Sequence, residues 1–139
     1  MSKHRIVLIE DNEADVWLLK NCLDSIATNH EVVVLKDGEA ALQFIEGERE
    51  GSETRPCVIV LDLNLPKYDG LELLAAIRRA PALKHVAALI VSTTPSPEIR
   101  RRIRELAVDF AEKPETISGY DALATRIWQL CESTFGAAV

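Results

Sequence analysis

The sequence predicts a doubly wound α/β fold, with a five-stranded parallel sheet in the order 2-1-3-4-5 and five helices on its two faces. Short apolar, β-branched runs alternate with longer segments of helical periodicity, joined by short connections. The strand-like runs, such as Ile6-Val7-Leu8-Ile9 and Val32-Val33-Val34-Leu35, are continuous rather than alternating. Strands buried on both faces of a parallel sheet read in this way. Polar and charged residues stand where these runs end, at the sheet edge where open α/β sheets bind their ligands.

The elements follow in order. Residues 6–9 form the first strand. A helix is expected over 13–27, with Val16, Leu19, Leu23 and Ile26 at helical spacing and Trp17 and Cys22 widening the apolar stripe. Residues 32–35 form the second strand, Lys36-Asp37-Gly38 turns the chain, and Ala40, Ala41, Phe44 and Ile45 mark a short helix. Residues 47–56 read as a polar loop and 57–61 as the third strand. After the loop 64–70, a helix spans 71–79 and stops at Ala80-Pro81. The fourth strand covers 86–91. Ser96 suits an N-cap and Pro97 the first position of a helix that runs to about residue 107. Residues 108–112 form the fifth strand, and the last helix covers 119–135 with Leu123, Ile127 and Leu130 inward.

The chain has 139 residues and is expected to form one domain over 1–139. Apolar residues make up 47% and charged residues 27%, the balance of an ordinary globular protein. A formal net charge of −6 argues against nucleic acid as the main partner. No apolar run is long enough to span a bilayer, and the N-terminus lacks a signal-peptide cleavage pattern. A cytoplasmic protein without membrane association is therefore expected. Cys22, Cys57 and Cys131 are odd in number, far apart and outside any CxxC pair, so they are read as small buried hydrophobes.

The chemistry lies at the strand ends. The first strand ends in Glu10-Asp11, the third in Asp62 and the fourth in Ser92-Thr93, while Lys113 follows the fifth. In the order 2-1-3-4-5 the first and third strands flank the switch point, so Glu10, Asp11 and Asp62 converge. Close carboxylates repel one another, and a hard divalent cation such as Mg²⁺ relieves this. Asp62 could then act as a carboxylate nucleophile towards phosphorus. Lys113 and Thr93 could bind the oxygens of the transferring group. Each piece alone has an ordinary reading: acids at a helix N-terminus, a turn Asp, a structural Ser-Thr pair, a solvated Lys. The four together at successive strand ends are far more specific.

Ile-Glu-Asp near the start, Val-Leu-Asp-Leu-Asn-Leu-Pro-Lys-Tyr-Asp-Gly in the middle and Glu-Lys-Pro near the end resemble the response-regulator receiver family of two-component signalling. The resemblance covers nearly the whole chain and implies a flavodoxin-like receiver fold. It implies that Asp62 is the phosphoacceptor, with Glu10, Asp11, Asp62 and the backbone carbonyl of Asn64 around Mg²⁺. It further implies that Thr93 moves towards the phosphoryl group, that Lys113 pairs with it, and that Phe110 turns inward as an aromatic switch. The Lys113–Pro114 bond matches a position that is often cis in the family, and Gly70 a turn of unusual backbone. The implied partner is a sensor histidine kinase or phosphotransfer protein. The Asn64–Gly70 loop and Ser92-Thr93-Thr94 are similar to single-domain receivers, some of which serve bacterial phytochrome kinases.

The sequence also departs from the family. Ser92 stands where an apolar residue is usual and could compete with Thr93 as the switching hydroxyl. The stretch from Thr93 to Lys113 is about two residues shorter than is typical. No DNA-binding module is expected after the last helix, so output is expected through surface contacts. Arg100, Arg101, Arg102 and Arg104 make either a solvated face or a docking patch. A homodimer through the fourth helix, fifth strand and fifth helix is expected. Two rival readings remain: a phosphoaspartyl hydrolase, which would carry Asp-x-Asp-x-Thr after the first strand, and a receiver-like module that binds partners without phosphorylation.

Overall fold

A computed structural model of the chain describes residues 4–48, 55–93 and 95–136. The elements are β1 (His4–Ile9), α1 (Glu13–Ile26), β2 (His30–Leu35), α2 (Gly38–Gly47), β3 (Val58–Asp62), α3 (Gly70–Arg79), β4 (Ala87–Ser92), α4 (Pro97–Glu105), β5 (Asp109–Glu112) and α5 (Ile117–Gly136). The strands pair in the order β2-β1-β3-β4-β5, and every pair is parallel. This is the doubly wound topology that the alternating pattern predicts. Boundaries shift by one or two residues, so that Asp62 is the last residue of β3 rather than the first after it. The polar loop expected over 47–56 lies largely outside the described residues.

Alternation along the central strands divides the interior into two cores. Val7, Ile9, Ile59, Leu61 and Ile90 face one side and pack with Leu71, Leu74, Ile77 and Ile103. Ile6, Leu8, Val58, Val60, Leu89 and Val91 face the other and pack with Leu19, Leu23, Leu123 and Ile127. Both faces of β1, β3 and β4 are therefore dry, which is why their sequences are continuous apolar runs.

Local chemistry sets the helix starts. The Asn12 side chain accepts from the backbone N–H groups of Ala14 and Asp15, and the Asp37 side chain from Ala40. Asp69 caps α3 through Leu71, and Ser96 caps α4 through Ile99 as expected, with Pro97 first in the helix. Each cap ends a connection that leaves the carboxyl end of a strand, so it also fixes the loops around the site.

The structure corrects several expectations. Trp17 does not widen the buried stripe of α1, because it is 64% exposed. Ile26, the last residue of α1, is also exposed. Cys57 and Cys131 are buried but form a disulfide, with a Cα–Cα distance of 4.7 Å. They are 74 residues apart, and only the packing of α5 over the start of β3 brings them together. Cys22 is free and buried. The Lys113–Pro114 peptide bond is trans. Gly70 is required for space rather than for unusual backbone: a Cβ there would sit 2.9 Å from the Leu63 Cα. Lys67, in the same loop, carries the positive φ, at 68°.

Two glycines give a paired test. Gly47 ends α2 with nothing within 4 Å of an added Cβ. Gly47→Ala should stabilise the fold by about 0.5 kcal/mol by restricting the unfolded chain. Gly70→Ala must displace backbone and should cost about 2 kcal/mol. Urea unfolding of both variants checks the opposite signs.

Candidate metal and phosphoacceptor site

The parallel register delivers the site. Ile9 pairs with Leu61, so Glu10 and Asp62 emerge side by side at the carboxyl edge. Glu10 is 5% and Asp62 4% exposed, while Asp11 faces solvent. One carboxylate oxygen from each of Glu10, Asp11 and Asp62 lies within 4.8 Å of the others. Ser92 pairs with Glu112, and the Lys113 N–H donates to the Ser92 carbonyl at 2.8 Å, which brings Lys113 to the same edge.

The two buried acids divide their oxygens in the same way. Glu10 Oε2 accepts from the backbone N–H of Asp11 at 3.0 Å and of Asn12 at 3.4 Å. Asp62 Oδ1 accepts from the Asn64 N–H at 2.8 Å. Their second oxygens face Lys113, whose Nζ donates to Glu10 Oε1 at 2.9 Å and to Asp62 Oδ2 at 3.0 Å. Lys113 also pairs with Asp15 Oδ2 at 2.8 Å. Tyr120 donates to the other oxygen of Asp15 at 2.9 Å.

Burial is the main force on the Glu10 carboxyl and pushes its pKa up to about 7, helped by Asp62 and opposed by Lys113. Burial alone would lower the Lys113 pKa, but hydrogen bonds to Asp15, Glu10 and Asp62 outweigh it and hold the pKa above its ordinary value. The ammonium therefore stays charged.

The remaining residues singled out in the sequence fall into two groups. Thr93 is exposed at the end of β4, and its Oγ1 accepts from Asn64 Nδ2 at 3.5 Å. Ser92 is 4% exposed, so of the two hydroxyl residues Thr93 is the one open to solvent. Phe110 lies further off, half-buried against the first core, with the Arg100 guanidinium 5.7 Å from its ring centroid. Its carbonyl accepts from Arg126 at 2.7 Å. Sequence reasoning missed Asp15 and Tyr120. Their only sequence signal is position, since Asp15 stands in the first turn of α1 and Tyr120 near the start of α5.

The donor set fits a hard divalent cation: carboxylate oxygens from three residues, two buried and one open to solvent. Lys113 already neutralises part of their charge. The thiols are elsewhere, with Cys57 and Cys131 joined to each other.

The profile of the response regulator receiver domain matches residues 6–124. The chain belongs to the response regulator receiver family. It is 44% identical over 91 residues to the response regulator Rcp1 of Synechocystis sp., a match covering 64% of this chain and 61% of that protein. It is 33% identical over 97 residues to a probable methanogenesis regulatory protein, FilR2, of Methanothrix harundinacea, covering 70% and 63% respectively. These matches span less than two thirds of each relative's length. Among solved structures, the phosphorylated cyanobacterial phytochrome response regulator RcpA superposes with a TM-score of 0.82 at 34% identity, covering 96% of each chain. The Mn²⁺-bound form of Rcp1 gives 0.77 at 33% identity, covering 89% of this receiver and 91% of that chain. Receivers are signalling domains rather than turnover enzymes. No helix among the described residues is long and apolar enough to cross a membrane.

The Glu10 shift sets a pH dependence. Its folded pKa of about 7 lies above the ordinary carboxyl value of 4.5, so the folded receiver binds more protons than the unfolded chain between those values. The associated stability is full below the unfolded pKa and is lost as pH rises through the folded one. Metal-free receiver should therefore lose thermal stability between about pH 5 and 7. Glu10→Gln should flatten that part of the melting profile.

Proposed function

We propose that this receiver accepts a phosphoryl group on Asp62 from a sensor histidine kinase or phosphotransfer protein, in a Mg²⁺-dependent reaction. The observation that carries this reading is the convergence of Glu10, Asp11 and Asp62 around an edge closed by Lys113. Glu10, Asp11, Asp62 and the backbone carbonyl of Asn64 would hold the cation. Bound there, it supplies charge neutralisation to the oxygens of the incoming group.

The chain's own residues do the rest. An Asp62 carboxylate oxygen forms a bond to phosphorus as the bond from phosphorus to the donor's imidazole nitrogen breaks, and the nitrogen keeps the electron pair. Lys113 redirects one of its N–H donors from Asp62 to a phosphoryl oxygen. The Thr93 hydroxyl donates to another, and its movement leaves room for the Phe110 ring to turn inward. Attack of water on phosphorus later releases inorganic phosphate and restores the carboxylate. Phosphorylation thus stabilises a minor conformation already in the ensemble.

The likeness to RcpA, a phytochrome response regulator, supports a phytochrome-type kinase as the donor. The Mn²⁺-bound form of Rcp1 supports the divalent cation. Output would pass through the surface of α4, β5 and α5, where Arg100, Arg101 and Arg104 are exposed. A homodimer through that surface and a cytoplasmic location belong to the same proposal.

Intact mass after incubation with phosphoramidate and Mg²⁺ tests the reaction. The wild type should gain one phosphoryl group. Asp62→Asn, or the wild type with EDTA, should gain none. Addition to the mutant, or none to the wild type, would remove Asp62 from its role.

Trp17 offers a direct reading of the metal, because it lines the same open groove as Glu10 and Asp11. Titration with Mg²⁺ should change tryptophan emission in the wild type. Asp11→Asn should weaken the response roughly tenfold in metal concentration, and Trp17→Phe should abolish the signal without abolishing phosphorylation.

A further inference from the structure

The Lys113 ammonium has three N–H donors and three carboxylate acceptors, and the shortest of the contacts is to Asp15 at 2.8 Å. Asp15 differs from the other two acceptors. Glu10 and Asp62 belong to the trio whose oxygens gather within 4.8 Å, whereas Asp15 stands outside it. Its second oxygen is held by Tyr120, whose hydroxyl donates at 2.9 Å. Tyr120 is 6% exposed, and burial together with the Asp15 hydrogen bond keeps its hydroxyl protonated. The chain of contacts runs from the first turn of α1 through the ammonium to the start of α5, and none of its three members was joined to the others by sequence position.

We infer that Asp15 and Tyr120 are positioning residues for Lys113, a fixed post on which the ammonium pivots between Asp62 and the phosphoryl group. This inference rests on the phosphoacceptor reading of Asp62. When Asp62 carries a phosphoryl group, its oxygens no longer offer the lysine a full negative charge, and a bound cation draws on Glu10. Asp15 keeps its charge and its place. One N–H of Lys113 stays on Asp15 while the one released by Asp62 turns to a phosphoryl oxygen. A cavity of about 20 Å³ lies against the lysine, lined by Leu8, Leu19, Val60 and Leu123 as well as by Asp15 and Tyr120. That is room for about one water molecule, and it leaves the lysine stem space to shift. Without the post, the flexible four-carbon stem would spread over many rotamers and present the ammonium less often in the reactive geometry.

The test is the rate of phosphorylation by phosphoramidate and Mg²⁺, followed by intact mass, in single and double variants. Asp15→Asn should slow the reaction roughly tenfold, and Tyr120→Phe, which removes one oxygen, roughly threefold. In a Lys113→Ala background neither change should slow it further, because the group they position is gone. A purely structural role would instead slow both backgrounds by the same factor, and that result would overturn the inference, as would an Asp15→Asn rate equal to wild type. If Asp15→Asn fails to fold, the Tyr120→Phe pair decides by the same comparison. A wild type that takes up no phosphoryl group would overturn the phosphoacceptor reading and this inference together. A wild type that does, with both variants unaffected, overturns the inference alone.

Discussion

A single ammonium group lets the carboxyl edge of this sheet exist. Parallel pairing of β1 with β3 places Glu10 beside Asp62 whether or not their charges are compatible, and both side chains are almost fully covered. Two buried carboxylates this close resist full ionisation, as the raised pKa of Glu10 shows, and Lys113 opposes that shift. Lys113 reaches them from beyond β5, at 2.9 and 3.0 Å, because β4 lies between β3 and β5 and the backbone of Ser92 fixes where the lysine begins. Buried charge of this kind is tolerated only when paired and hydrogen-bonded. Here each acid spends one oxygen on backbone N–H groups and the other on the lysine.

The same arrangement is chemically unfinished. Asp11 stays in solvent beside the pair, so the edge remains rich in carboxylate oxygen even with Lys113 in place. A hard cation would complete the balance, and the proposed phosphoryl group would disturb it again by altering the charge on Asp62. The two cores hold the strands in place beneath the edge. The loops above the edge are held by side-chain caps at Asn12, Asp37, Asp69 and Ser96. The rigid floor and the charge-sensitive rim are both consequences of continuous apolar strands that end abruptly in polar residues.

That abrupt ending is why so much was legible in the sequence. Runs such as Ile6-Val7-Leu8-Ile9 before Glu10-Asp11 announce strand, burial and edge at once, and the strand order then brings distant acids together. What stayed hidden depends on how helices pack across the sheet. Trp17 has the spacing of a core residue, but α1 turns it outward beside the acidic groove. Cys57 and Cys131 each look like an isolated small hydrophobe, and only the seating of α5 over β3 pairs them. Asp15 reads as a first-turn acid suited to the helix dipole. Its link to Tyr120 and Lys113 exists because α1 and α5 are neighbours in space, a relation that local pattern does not encode.

The measurement that bears most directly on this account is the thermal melting of wild type and Lys113→Met with and without Mg²⁺. Without the ion, loss of the ammonium leaves buried carboxylates unpaired, and the variant should be less stable by about 3 kcal/mol. Saturating Mg²⁺ should restore most of that loss and stabilise the variant more than the wild type, because the ion takes over the charge the lysine carried. A variant that melts with the wild type in the absence of metal, or one that Mg²⁺ does not rescue, would contradict the claim that charge balance at this edge holds the site together.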